Sequence, residues 1–228
     1  MRAERTIIEQ PPVRDRGRAH LAGALPALVL LLAALGLAAC GNTNPSPQTT
    51  GGPPDVSDTV HVCSSCHGPG GHSISSTFPR LAGQQKDYLI AQLTTFRDHT
   101  RADPHAQTYM WGMAARLSDP MITALAAYYA SEPPVPGTPD NSPEAQAGRK
   151  MYTEGIPAEA VPACMLCHGA KGQGNSTIPR LAGQHRAYIE RQLEAFASKA
   201  RANEIMHENS KNLAAEQIRD VAAYVRSL

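Results

Sequence analysis

Cys63-Ser64-Ser65-Cys66-His67-Gly68 returns in the second half of the chain as Cys164-Met165-Leu166-Cys167-His168-Gly169. The likeness extends outward from both. Thr77-Phe78-Pro79-Arg80-Leu81-Ala82-Gly83-Gln84 recurs as Thr177-Ile178-Pro179-Arg180-Leu181-Ala182-Gly183-Gln184, followed by Tyr88/Tyr188, Gln92-Leu93/Gln192-Leu193, Phe96/Phe196 and Ala126-Ala127-Tyr128/Ala222-Ala223-Tyr224. The chain is therefore two homologous units of roughly 80–85 residues. They are joined across Glu132-Pro133-Pro134-Val135-Pro136-Gly137-Thr138-Pro139, which cannot continue a helix. Within each unit the apolar residues recur at helical spacing, along 84–97 and 184–198. Ser118 with Pro120 opens a helix to Ala130, Ser142-Pro143 opens one to about Thr153, and 214–227 matches the first of these. No stretch alternates like a strand, so the expected fold is all-α.

The Cys spacing has a chemical reason. Two thiols separated by two residues on a tight turn can add to the two vinyl groups of one haem, and the following His binds its iron. Cys63, Cys66 and His67, then Cys164, Cys167 and His168, predict two covalent haems c. Two competing readings are weaker. A four-thiolate zinc site does not call for His after each Cys pair and would draw its ligands from two repeats. A thioredoxin-type dithiol needs a βαβ setting, which is absent. Haem also answers a deficit: aromatic residues are 5% of the 228, and a unit this small is marginal without a cofactor or staple.

The sixth iron position follows from the repeat alignment. Met110 and Met206 each precede a Leu (Leu117, Leu213) by seven residues. Met113 aligns with Asn209 and is expected to be a packing residue. Histidine is the rival distal ligand, with His105 near Met110 and His207 beside Met206, but neither has a counterpart in the other repeat.

The first forty residues read as a leader. Residues 1–18 carry five Arg, residues 19–54 no charged side chain, and Leu25–Ala39 is an apolar run of fifteen. It ends in Leu37-Ala38-Ala39-Cys40-Gly41, which resembles a bacterial lipobox, with cleavage before Cys40 and a diacylglycerol on its sulfur. The alternative is an uncleaved helix over 21–39, just long enough to span a membrane but weakened by Pro26 and Gly36. Residues 40–54 read as a disordered tether with a reach of roughly 20 Å. The formal charge of +1 argues against nucleic-acid binding. The expected site of action is outside the cytoplasm of a bacterium, membrane-anchored and facing the periplasm.

On these motifs the sequence resembles the class I c-type cytochromes, and its tandem plan is similar to the dihaem cytochrome c4 family. The resemblance covers nearly all of residues 55–228. It implies two tandem class I cytochrome c domains, 55–132 and 142–228, with a Pro-rich linker over 133–141. It implies that the Pro79 and Pro179 carbonyls accept from the proximal imidazoles, and that Arg80 and Arg180 lie near haem propionates. Two departures stand out. Unit two carries the family's Gly-aromatic pair as Gly148 and Tyr152, facing Tyr224, but unit one has only Asp55–Val62 before its Cys. Unit two inserts 156–161 before Cys164. The implied function is single-electron transfer, from a cytochrome c reductase or dehydrogenase to a terminal oxidase or reductase. The alternative is the haem electron-accepting subunit of a periplasmic dehydrogenase, such as a flavin sulfide dehydrogenase, or a dihaem enzyme acting on a small molecule.

Overall fold

A computed structural model of the chain describes residues 52–228. The leader over 1–39, Cys40 and the tether up to residue 51 lie outside the described residues. Unit one contains α1 (Ser57–His67), α2 (Lys86–Arg97), α3 (Trp111–Ala114) and α4 (Asp119–Ser131). Unit two contains α5 (Pro143–Glu154), α6 (Met165–His168), α7 (Arg186–Ala197), α8 (Glu204–Ser210) and α9 (Ala215–Ser227). Among the described residues the only extended pairings are isolated bridges, Ile156 with Val161 and Asn175 with Ile178. None of these helices is long and apolar enough to cross a membrane. The fold is the all-α one expected.

Local chemistry sets the helix starts. The Ser118 hydroxyl accepts from the Met121 amide at the head of α4, and the Ser142 hydroxyl from the Ala145 amide at the head of α5. Each satisfies a donor that the first turn leaves free. α4 buries Ile122, Leu125, Ala126 and Tyr129, and α9 buries Ile218, Val221, Ala222 and Val225. Both sets are one helical stripe. α2 packs on α4 as α7 packs on α9.

The units differ where the sequence departs from the repeat. In unit two α5 crosses α9 with backbones in contact at Gly148, and Tyr152 meets Tyr224 at 5.4 Å between ring centroids. Among the described residues, unit one has no such helix. Its first helix, α1, is eleven residues long and ends in the C-x-x-C-H turn itself. The space beside Cys63 is filled from the other direction, by Tyr129 of α4. The consequence is polar. The Tyr152 hydroxyl donates to the Gly169 carbonyl at 2.6 Å, whereas the buried Tyr129 hydroxyl has only the weakly hydrogen-bonding Cys63 sulfur beside it. Tyr152→Phe is therefore expected to cost about 1–2 kcal/mol, and Tyr129→Phe to be neutral or stabilising. Denaturant melts of the two variants check this; equal losses would contradict it.

The 156–161 insertion is a 3₁₀ turn over Pro157–Glu159 closed by the Ile156–Val161 bridge. The Pro-rich connector is fastened at several points. The His72 ring nitrogen Nε2 lies 3.0 Å from the Pro133 carbonyl, the Thr138 amide donates to the Arg226 carbonyl, and Asp140 pairs with Arg226 at 3.2 Å.

The repeated Pro-Arg-Leu-Ala-Gly-Gln segments meet each other. The Gln84 side chain accepts from the Arg180 amide at 2.7 Å and donates to the Arg180 carbonyl at 2.9 Å. Gln184 does the same to Arg80, at 2.9 and 3.0 Å. Both glutamines are buried. The exchange is reciprocal, so the two units are related by a pseudo-two-fold axis.

Two candidate haem sites in one cavity

A cavity of about 970 Å³ runs between the units and is walled from both. This lies at the upper end of the range for small-molecule sites. His67 and His168 line it, both buried. The Nδ1–H of His67 donates to the Pro79 carbonyl at 2.8 Å, and that of His168 to the Pro179 carbonyl at 3.1 Å. A carbonyl can only accept, so Nδ1 carries the proton and Nε2 keeps its lone pair. Burial pulls both imidazoles below their ordinary pKa, only partly opposed by the proline carbonyls. The rings are thus neutral and able to bind a metal. The two His–Pro separations in sequence, twelve and eleven residues, differ by one, and the loops absorb it.

Cys63 and Cys66 lie in the last turns of α1, with His67 one turn beyond Cys63; Cys164, Cys167 and His168 lie at α6. Positions three and four apart share a helix face, which brings the members of each trio together; all of them but Cys66 line the cavity. The chain then turns at Gly68, at φ +75°, where a Cβ would sit 2.8 Å from the His72 carbonyl oxygen. All four thiols are free. Burial pushes Cys164 up to about 11 and Cys63 in the same direction, so they remain protonated at neutral pH.

Met206 sits in the first turn of α8, whose cap is the Asn203 side chain accepting from the Met206 amide at 2.9 Å. Met110 ends a π-helical stretch, Ala106–Met110, that leads into α3. Met110 follows Arg101 by nine residues, and Met206 follows Arg201 by five. The wider turn of the π stretch takes up part of that excess. Both methionines line the cavity, and so does Met113, which is 46% exposed and not the packed residue expected. His105 also lines the cavity. His207 does not, and its Nδ1–H donates to the Phe196 carbonyl at 2.9 Å.

Arg80 and Arg180 reach the cavity wall. The Arg80 guanidinium donates to the Ser73 carbonyl at 3.2 Å and to the Gly183 carbonyl of the other unit. Sequence reasoning missed a second pair of cations there, Arg101 and Arg201, both buried. Their signal was present: they occupy the same place in the two repeats.

The donor set fits two haems. Each half offers two cysteines, a neutral imidazole and a thioether, all of them but Cys66 lining the cavity. Two tandem helical domains built in this way define a dihaem c-type cytochrome. A family model described as Cytochrome c matches residues 59–131 and again 145–228. Cytochrome c-552 of Acidithiobacillus ferridurans is 44% identical over 168 residues, 73% of each chain. The solved structure of cytochrome c4 from Acidithiobacillus ferrooxidans aligns with a TM-score of 0.70 at 43% identity, covering 73% of this chain and 98% of that one. The thiosulfate dehydrogenase electron acceptor of Thiomonas intermedia is 35% identical over 171 residues, 72% of this chain and 76% of its own. The chain belongs to the cytochrome c family, in its dihaem, cytochrome c4-like branch. It is an electron carrier with two covalently bound haems c.

Proposed function

We propose that the chain is a two-centre relay anchored at the periplasmic face of a bacterial membrane, in which His67 and Met110 would hold one iron and His168 and Met206 the other. Cys63 and Cys66 would carry the first haem as thioethers, Cys164 and Cys167 the second. One observation supports this most: the repeated buried histidine, its Nδ1–H on a proline carbonyl, facing a cavity that also meets a methionine from the same repeat. With His67 and Met110 holding one iron and His168 and Met206 the other, the haems would supply one-electron transfer without ligand exchange, and the methionines would raise their potentials. The chain's own residues prepare for this. The Pro79 and Pro179 carbonyls hold the ring tautomer and raise ligand basicity. The apolar wall limits water. No side chain has to move a proton.

Exposed apolar side chains at the cavity rim, Leu166 (76%) and Ile205 (71%) in unit two with Val62 and Tyr109 in unit one, suit brief docking to redox proteins. The donor would be a cytochrome c reductase or a periplasmic dehydrogenase, and the acceptor a terminal oxidase or reductase. Likeness to a thiosulfate dehydrogenase electron acceptor favours a second reading, in which the donor is a dehydrogenase of that kind. Cys40 would carry the lipid, and the tether would let the head meet its partners.

Three measurements test most of this. The denatured protein should weigh as a chain beginning at Cys40, plus two haems and a diacylglycerol modification. A reductive titration of the folded protein should consume two electrons per chain, without carbon monoxide binding to either reduced haem. Ready carbon monoxide binding would refute the His/Met assignment at that centre.

A further inference from the structure

Met110 and Met206 are each followed by a ring that donates to a main-chain carbonyl earlier in the chain. Trp111 Nε1–H donates to the Arg101 carbonyl at 2.8 Å, and His207 Nδ1–H to the Phe196 carbonyl at 2.9 Å. The two rings occupy the same place in the repeat, six residues before Leu117 and Leu213. One face of the indole is covered by His99, stacked at 4.2 Å between centroids and 12° between planes. Trp111 and Met110 both pack on the cluster of Phe96, Ala106 and Ala114. A ring tied in this way fixes the rotation of the turn that carries its neighbour.

Beyond that shared tie the two turns are held unequally. In unit two the Met206 amide donates to the Asn203 side chain at 2.9 Å, and the Met206 carbonyl accepts from the fully buried Ser210 hydroxyl at 2.6 Å. The turn bearing Met110 has neither bond. The stretch Ala106–Met110 begins at His105 without a side-chain cap, and Ala114 stands where unit two has Ser210. Its own side-chain bonds, from Gln107 to the Ala102 carbonyl and from Thr108 to the Pro104 carbonyl, are solvent-exposed and tie only its start. The stretch is also π-helical, a rare turn whose shape depends on what packs and bonds against it.

We propose that Trp111 and His207 are positioning residues that hold the thioethers of Met110 and Met206 in place as ligands, and that unit one depends on its ring more than unit two does. Met110 is then the more readily displaced methionine. The proposal rests on the His/Met reading given above. Displacing Met110 requires its turn to swing away from Arg101 and break the indole bond. In unit two the turn is stiffened by two further bonds, which oppose local unwinding around Met206.

The test uses the holoprotein, with imidazole as the competing ligand. Titration of the ferric protein, read from the hyperfine-shifted methyl proton signals of the two axial methionines, gives a constant for each haem. Met110→Ala and Met206→Ala assign the signals. In the wild type the Met110 signal should be lost at lower imidazole concentration than that of Met206. Trp111→Phe keeps a ring but no donor, and should raise imidazole affinity in unit one roughly tenfold, as expected for a lost buried hydrogen bond, with the unit-two constant unchanged. His207→Asn, which keeps a donor near the Nδ1 position, should behave as wild type. His207→Phe should raise the unit-two constant by less than Trp111→Phe raises that of unit one. A merely structural tryptophan would lower the melting midpoint and move neither constant; that result refutes the proposal. Loss of the Met206 signal first, or of both together, refutes it whatever the variants do, and this wild-type order decides the matter if Trp111→Phe does not fold. A wild-type spectrum without two methionine signals would sink the axial reading instead, a separate failure.

Discussion

Met206→Ala is expected to lower the potential of the unit-two haem and open its iron to carbon monoxide while leaving both covalent attachments intact. The thioether is a soft, neutral donor that favours ferrous iron, and alanine cannot replace it. Axial ligands move haem potentials over roughly 0.8 V, so the fall should be a sizeable part of that span. His207 offers no ready substitute, because it does not line the cavity and its Nδ1–H is held by the Phe196 carbonyl. Unit one needs a paired experiment, since His105 lines the cavity with Met110. Met110→Ala should reproduce the loss and His105→Ala should not. The reverse pattern would make histidine the distal ligand there. An unchanged potential in Met206→Ala, with no carbon monoxide binding, would refute the assignment in unit two.

The second large effect concerns stability. Gly148→Val should destabilise unit two by about 3 kcal/mol or more, at the upper end of overpacking costs. A Cβ at Gly148 would stand 2.0 Å from the Asp220 carbonyl oxygen and 2.4 Å from its carbon. Both atoms are backbone of α9, so no side chain can swing aside; α5 and α9 must separate. That contact holds Tyr152 against Tyr224 and backs the largest core cluster, with Met151, Ile189, Val221 and Val225. At 4–8 °C per kcal/mol for a domain this size, the midpoint should fall by roughly 12 °C or more. Gly112→Ala is the control. Nothing lies within 4 Å of a Cβ there, and alanine favours the helix by up to about 1 kcal/mol. Equal midpoints for Gly148→Val and wild type would show that α5 does not brace the domain.

The different origins of these features explain what could be read in advance. The C-x-x-C-H turns, the Ser118 and Ser142 caps and the helix stripes involve residues within about one or two helical turns of each other, so pattern alone exposes them. The repeat did further work, because comparing two copies of one design singled out Met110 and Met206 and showed that unit one lacks the Gly148–Tyr152 pair. It did not show what fills the gap. Tyr129 reaches that space from a helix over sixty residues downstream of Cys63, and its hydroxyl meets the Cys63 sulfur where Tyr152 in unit two meets a carbonyl.

Arg80 illustrates the other limit. The family resemblance implied a role for it beside the haem, yet the polar partners of its guanidinium include the Gly183 carbonyl, from the other repeat. Such contacts have no local signature, because they depend on how two units dock.

The sequence by itself determined the helices, the doubled attachment motif and the class of cofactor, since covalent chemistry and helical periodicity act between near neighbours. Only the tertiary structure decided that Gln84 and Gln184 clasp opposite units, that both halves wall one cavity, and that Arg101 and Arg201 meet over Gln92 and Gln192 on its wall. Those outcomes depend on burial and charge shared between residues about a hundred positions apart, and no short window of sequence contains both partners.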